Sequence, residues 1–402
     1  MRSQVQFRLL VVRLGAMGDI LHALPAVTAL RQMHPAWKIG WAIEPKWRPL
    51  LTTESTNTGL GTERNPARPV VDQIHLVPAK AWGRKPLSGE TRAGIRALRA
   101  ELKAAEYDAV LDLQGAIRSS VIARLTGCRR RIGDENPWET LARWLYTERV
   151  VTVGPHVIDQ NVELASAVAG DLLTAVQPVL PETPEAELWC DALDELRAAS
   201  QVGRPVVLVH PGGGWGAKRW PADRYGAVVE EFARRGCVVL VNAGPGEERL
   251  AGDVVTAARG HGTVVACTLE QLIGLTRRVS LVIGGDTGPM HLACALGKPV
   301  VAIYGPTDPK RNGPYGSAFR VLRNPESRTD HSRREQPEAG LLTIGPEAVM
   351  EAAVSVLVEE KEHREQERKE TEHRDAEARA LERRKRQEVI EVERRGAGWE
   401  RA

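Results

Sequence analysis

The chain has 402 residues, 42% of them apolar, which is enough for two domains and a sizeable core. Lys+Arg 55 against Asp+Glu 52 leaves a net charge of +3, which argues against a polyanionic partner such as nucleic acid. The five cysteines (Cys128, Cys190, Cys237, Cys267, Cys294) lack paired spacing and read as reduced cytosolic thiols. Neither a metal-ligand spacing nor a membrane span is expected, since the apolar run that opens the chain is broken at Arg13.

The elements then alternate. Residues 7–12 read as a β-branched strand ending at Arg13-Leu14-Gly15-Ala16-Met17-Gly18-Asp19, and 20–33 carries apolar residues at helical spacing. Asp19 stands at the helix start, as a cap or as a carboxylate presented to the crevice beyond the strand ends. Strands are expected over 38–43, 74–77 and 108–113, and a helix over 90–105. Residues 52–69, rich in Thr, Asn, Gly and Pro, read as a surface loop. Arg84 and Lys85 form either a solvated rim or an anion-binding pair. Gln114 follows the third strand, Arg118 lies on the helix after it, and 129–131 makes a strand-like turn. A helix over 161–174 leads to a proline-rich linker at 177–184.

The rhythm then restarts with a helix over 185–200 and a strand over 206–210. Next comes Pro211-Gly212-Gly213-Gly214-Trp215-Gly216-Ala217-Lys218, a glycine-rich loop that can wrap an anion, with Lys218 as a point charge. A helix over 223–234 and a strand over 238–242 precede Gly244-Pro245-Gly246-Glu247-Glu248. Its carboxylates either favour the next helix start or receive sugar hydroxyls. A strand over 264–266 and a helix over 269–277 follow.

A strand over 280–283 then enters Gly284-Gly285-Asp286-Thr287-Gly288, with a helix over 290–296 and a strand over 299–304 behind it. Glycines and a helix N-terminus together can seat a phosphate. The spacing matches neither a P-loop nor the dinucleotide fingerprint, so an ordinary strand–turn–helix unit remains an alternative. Residues 324–340 read as a polar loop and 346–358 as a helix. From 359 to 402 acidic and basic residues interleave almost without aliphatic anchors, as in a solvated helix or a disordered tail; Arg383 to Arg386 are the candidates for a partner or membrane arm. The fold class is therefore α/β, with two doubly wound domains facing a cleft. The expected divisions are 1–178, 179–345, a closing helix at 346–358, and the tail at 359–402.

Four stretches in order, 13–27, 112–127, 210–225 and 284–309, resemble the family 9 glycosyltransferases, the ADP-heptose:lipopolysaccharide heptosyltransferases, which have a GT-B fold. Residues 75–98 look more like the type I enzymes than type II. The resemblance implies inverting transfer of heptose from ADP-L-glycero-D-manno-heptose to a Kdo–lipid A acceptor at the inner face of the inner membrane, without cofactor or metal. It implies Asp19 as the base that activates the acceptor hydroxyl and Lys218 as the cation on the donor diphosphate. It also implies donor contacts at Gly212, Gly213, Gly214, Asp286, Thr287, Gly288 and His291. Glu247 (or Glu248) would meet the ribose, and the backbone at Thr268 and Leu269 the adenine. Gly18, Arg84, Lys85, Gln114 and Arg118 are the acceptor-side candidates. Gly15 and Ala16 depart from the hydroxyl residues common in type I, and Gly212–Gly214 from the threonines common in the donor loop. Another family 9 acceptor, a sugar-nucleotide epimerase and a non-catalytic nucleotide-sugar scaffold are the competing readings.

Overall fold

A computed structural model describes residues 6–54, 64–330 and 332–397. Part of the expected loop over 52–69 lies outside these residues, and the side chains of Arg383 to Arg386 lie outside the described ones. The first half comprises β1 (Arg8–Val12), α1 (Met17–Met33), β2 (Lys38–Ile43), β3 (Gln73–Leu76), α2 (Ala79–Arg84), α3 (Gly89–Ala104), β4 (Ala109–Asp112), α4 (Ile117–Leu125), β5 (Arg130–Asp134), β6 (Glu148–Val150) and α5 (Val157–Ala169). Its six strands are parallel in the order β3-β2-β1-β4-β5-β6.

The second half comprises α6 (Pro184–Ala192), α7 (Asp194–Val202), β7 (Val206–His210), α8 (Ala222–Arg234), β8 (Val238–Ala243), α9 (Glu248–Ala257), β9 (Thr263–Ala266), α10 (Leu269–Arg278), β10 (Leu281–Gly285), α11 (Gly288–Ala295), β11 (Val300–Tyr304), α12 (Pro309–Asn312) and β12 (Phe319–Arg323). Its order, β12-β11-β10-β7-β8-β9, repeats the first winding. Each sheet reverses direction beside its first strand, between β1 and β4 and between β7 and β10, where a crevice opens beyond the strand ends. The central strands β4, β7, β10 and β11 are buried along their whole length. Such continuous apolar runs mark parallel sheets covered on both faces.

Four expectations needed correction. The helix expected over 161–174 starts at Val157, where the His156 ring nitrogen accepts from the Ile158 N–H at 3.1 Å, and stops at Gly170 in the left-handed region with φ 74. The helix expected over 185–200 breaks at Leu193 into α6 and α7. α6 packs on α10 and α7 on β8, two surfaces that one straight helix does not reach. Strands β6 and β12 were not foreseen, because they are sheet edges without a buried apolar run. Finally, the helix expected over 346–358 is the start of α13 (Pro346–Ala397), in which Val349, Met350 and Ala353 are buried.

The described residues from Val354 onward form a separate unit. The described part is helical, the helix alternative for the tail, and is held by i,i+4 pairs such as Glu360–Arg364 at 2.5 Å and Glu365–Lys369 at 3.2 Å. Among the described residues no helix is long and apolar enough to cross a membrane.

Candidate active site

Loops from the carboxyl ends of both sheets wall one cavity of about 740 Å³. Asp19 stands on the first wall, in the opening turn of α1. One carboxylate oxygen accepts from the Ala16 N–H at 2.7 Å, so the cap contact is real. The other lies 2.9 Å from Arg13, whose own side chain is almost fully buried. Nearly half of the Asp19 side chain nevertheless stays exposed (46%), so the carboxylate is oriented and still reachable. Lys46 and Trp47, just past β2, complete this wall, with the Lys46 ammonium 4.1 Å above the indole.

The second wall is built on ionic contacts. Lys218 bonds Asp286 at 2.5 Å and lies 4.3 Å over the Trp215 ring. The other oxygen of Asp286 meets His291 Nε2 at 3.1 Å, and His291 Nδ1 meets His22 Nε2 at 3.1 Å. Burial pushes the Asp286 carboxyl up, but His291 and Lys218 outweigh it and hold the group well below the ordinary carboxylate range. His22 is driven well below its ordinary value by burial first, with His291, His156 and Arg13 adding to it. The Asp286 carboxylate can only accept, so His291 Nε2–H donates to it, while His291 Nδ1 shares its hydrogen bond with Nε2 of a neutral His22. This chain runs from α1 of the first half to the lysine of the second.

Two glycines let the halves meet closely. A Cβ on Gly18 would fall 2.7 Å from the His291 ring, and one on Gly288 would fall 2.5 Å from the Met17 sulfur. Gly18, an acceptor-side candidate, thus has a packing role. In the donor loop, a Cβ on Gly212 would overlap the Glu247 carboxylate, which accepts from the Gly213 N–H at 3.2 Å. Glu247 therefore leans on the glycine loop, Gly214 stays exposed, and Glu248 opens α9 outside the cavity wall.

Thr268 and Leu269 line the cavity at the start of α10. The Thr268 N–H donates to Gln271 at 2.8 Å and its carbonyl accepts from Leu272 at 2.9 Å, so the unspent backbone donor there belongs to Leu269. Thr287 stands at the N-terminal boundary of α11 without a capping hydrogen bond, its hydroxyl buried and unpartnered. His210, at the end of β7, also lines the cavity with both ring nitrogens unpartnered, and burial pushes its pKa down to about 3.

The remaining acceptor-side candidates are not on this wall. Arg84 and Lys85 are exposed at the end of α2, and Arg118 is exposed on the first turn of α4. Gln114 accepts from the Leu14 N–H at 2.8 Å, bracing the loop that carries Asp19. Sequence reasoning missed Arg13, His22, Lys46, Trp47 and His210. The first, third, fourth and fifth sit at or just past the carboxyl end of a strand, a signal that applies to any such residue. Among the described residues no group of three or more His, Cys, Asp or Glu side chains is placed to hold a metal ion.

The model of glycosyltransferase family 9 (heptosyltransferase) matches residues 95–342. The chain belongs to that family. It is a glycosyltransferase with a GT-B architecture. Lipopolysaccharide heptosyltransferase 1 of Escherichia coli (strain K12) is 25% identical over 353 residues, covering 87% of this chain and 100% of that protein. Lipopolysaccharide heptosyltransferase 2 of the same strain is 24% identical over 287 residues, 66% and 80% of the two chains. The solved E. coli heptosyltransferase WaaC with ADP-2-deoxy-2-fluoro heptose superposes with a TM-score of 0.67 at 23% identity, covering 86% of this chain and 98% of that one. In this family setting the cavity joins an oriented carboxylate on one half to a lysine, a helix start and glycine amides on the other.

Proposed function

We propose that the chain is an inverting heptosyltransferase of lipopolysaccharide core biosynthesis that carries heptose from ADP-heptose to the Kdo of a Kdo–lipid A acceptor. The observation that carries this reading is that Asp19 of the first half and Lys218 of the second line one cavity. Lys218, the start of α11 and the Gly212–Gly214 amides stabilise charge that develops on the leaving diphosphate. Glu247 takes the ribose hydroxyls and the Leu269 backbone faces the adenine. Asp19 removes the acceptor proton as the new bond forms on the opposite face of the anomeric carbon, so one displacement inverts the centre. Arg13 and the Ala16 N–H aim the carboxylate for that step. Lys46 supplies positive charge on the acceptor wall for the Kdo carboxylate. No resident metal or cofactor enters the reading, and the acceptor places the enzyme at the cytoplasmic face of the inner membrane.

The test is ADP release from ADP-heptose with Kdo-containing lipid A, with an already heptosylated core, and with neither. Release that requires the Kdo acceptor is expected, with transfer in Asp19→Asn lowered by about 10²–10⁴-fold and donor affinity unchanged. Release only on the heptosylated core moves the acceptor to the type II position. Strong transfer in Asp19→Asn removes that residue as the base.

A further inference from the structure

One polar side chain in the cavity wall is only half used. Asn242 stands near the end of β8, the strand that leads into Glu247. It pairs in register with Val265 of β9, the strand that leads into Thr268 and Leu269. Asn242 therefore lies between the carboxylate assigned to the ribose and the backbone assigned to the adenine. It is 6% exposed and lines the cavity. Its Oδ1 accepts from the Cys267 thiol at 3.5 Å, and among the described residues its Nδ2 meets no acceptor. Burial pushes the Cys267 thiol up to about 12, so the S–H is retained and holds Oδ1 on its own side. A thiol is a weak donor, and Oδ1 keeps a second lone pair. An amide N–H2 left unspent in a buried wall carries a cost that a ligand can remove.

The neighbouring groups narrow what that ligand edge can be. Pro245, three residues on from Asn242, and Leu272, one turn past Leu269, add apolar surface to the same cavity, as a flat ring requires. The Leu269 N–H, at the start of α10, is the backbone donor left over there. The polar groups are thus a donor and an acceptor on one amide, Nδ2 and Oδ1, and a second donor on the backbone. The outer edge of adenine offers an acceptor at N7, a donor at the 6-amino group and an acceptor at N1, which satisfies all three. A 6-oxo purine keeps N7 but presents an acceptor at O6 and a donor at N1, which opposes two of the three. We infer that Asn242 selects adenine over 6-oxo purines in the donor nucleotide, its amide taking N7 and the 6-amino group while the Leu269 N–H takes N1. The inference rests on the adenosine diphosphate donor of the proposed function and adds the side chain that reads its base.

The experiment is titration calorimetry of the full-length protein with ADP and with IDP, which differ only at the 6-position and N1. The wild type is expected to bind ADP about tenfold or more tightly than IDP. Asn242→Leu should lose about tenfold in ADP affinity and shrink the ADP-to-IDP ratio by a similar factor. Asn242→Asp keeps an acceptor for the 6-amino group and loses the donor to N7, so both diphosphates should weaken while the ratio holds. Each ratio is taken within one protein, so a partly unfolded preparation does not move it. A purely structural Asn242 would leave the wild-type ratio in both variants. A wild-type ratio near one, an undiminished ratio in Asn242→Leu, or a lost ratio in Asn242→Asp overturns the inference and leaves the ADP donor standing. Binding of neither diphosphate sinks the proposed donor, and the inference with it.

Discussion

The two halves place an aspartate at nearly the same topological point and use it in opposite ways. Asp112 ends β4 in the first sheet, and Asp286 follows β10, the strand of equal rank in the second. Both are deeply buried. Asp112 accepts from the Gln114 and Gly115 N–H groups at 2.8 and 3.2 Å and from the Ser119 and Tyr146 hydroxyls at 2.8 Å each. Among the described contacts it meets no cation, and burial pushes its pKa up against those hydrogen bonds. Asp286 instead faces Lys218 and His291, and its pKa is held down. Neutral donors turn one carboxylate into a knot that ties a loop. Cationic donors turn the other into a charged counterion beside the donor seat. The strand order does not decide between these fates; the residues at the far ends of the loops do.

The largest effect should come from breaking the second arrangement. Lys218→Met is expected to lower kcat/KM by about 10²–10³-fold, the usual consequence of removing one donor to a developing anion. It also leaves Asp286 with His291 alone, so thermal stability should fall as well. The paired aspartates sharpen the contrast. Asp286→Asn should lower kcat per folded enzyme by about tenfold or more, because Lys218 and His291 both lose their anchor. Asp112→Asn brings an amide N–H toward backbone donors, costing about 1–3 kcal/mol of stability for each donor left unsatisfied, with kcat and donor KM unchanged. Equal kinetic losses in the two variants would erase the distinction drawn between them.

A smaller effect tests the link between the halves. His22 Nε2 is hydrogen-bonded to His291 Nδ1 and so fixes which nitrogen of His291 faces Asp286. His22→Leu should lower kcat by about tenfold, the worth of one buried hydrogen bond, while donor binding holds. His22→Gln, whose amide can donate or accept, should recover most of the rate. A pure packing role would give the opposite order, with leucine tolerated and glutamine penalised.

The second wall was far more legible in sequence than the first. Gly212–Gly214, Lys218, Glu247 and Asp286–Gly288 all lie on short glycine-bearing loops after buried strands, and they converge on the cavity. A loop read as a phosphate seat carries its partners within a few residues. The first wall draws on three separate places: the start of α1, the turn past β2, and Arg13 beneath them. Asp19 stood out because it opens a helix. Lys46 follows a strand without any glycine signature, and His22 lies inside an apolar helix where it reads as core. Its role depends on a contact 269 positions away in the chain, which no local pattern encodes. Arg84, Lys85 and Arg118 enter through the resemblance, while their local pattern leaves a solvated rim and an anion site open, and all three stand exposed away from the cavity wall.

The smallest expected effect is on stability at mildly acid pH, and it again separates carboxylate from imidazole. His22, His156 and His210 are all buried with lowered pKa values, burial being the first cause for each. Unfolded histidines bind protons near pH 6.5, and these folded ones bind theirs at lower pH, His22 and His210 far lower. The unfolded state therefore holds more protons as pH falls below about 6.5, and stability declines in that direction by about 1.4 kcal/mol per pH unit for each such group. Asp286 has the depressed pKa of a paired carboxylate, so its contribution is complete above about pH 4 and fades only below that. Between pH 6 and 4.5 the lowered histidines should set the downward slope, which Asp112, raised by burial, opposes toward the acid end. His210 is the cleanest to remove, since its ring nitrogens have no partner to strand. In His210→Gln, denaturant titrations across that range should show a slope shallower by about one proton. An unchanged slope would mean that His210 titrates normally in the folded chain, and that its place in the cavity wall is wetter than its burial implies.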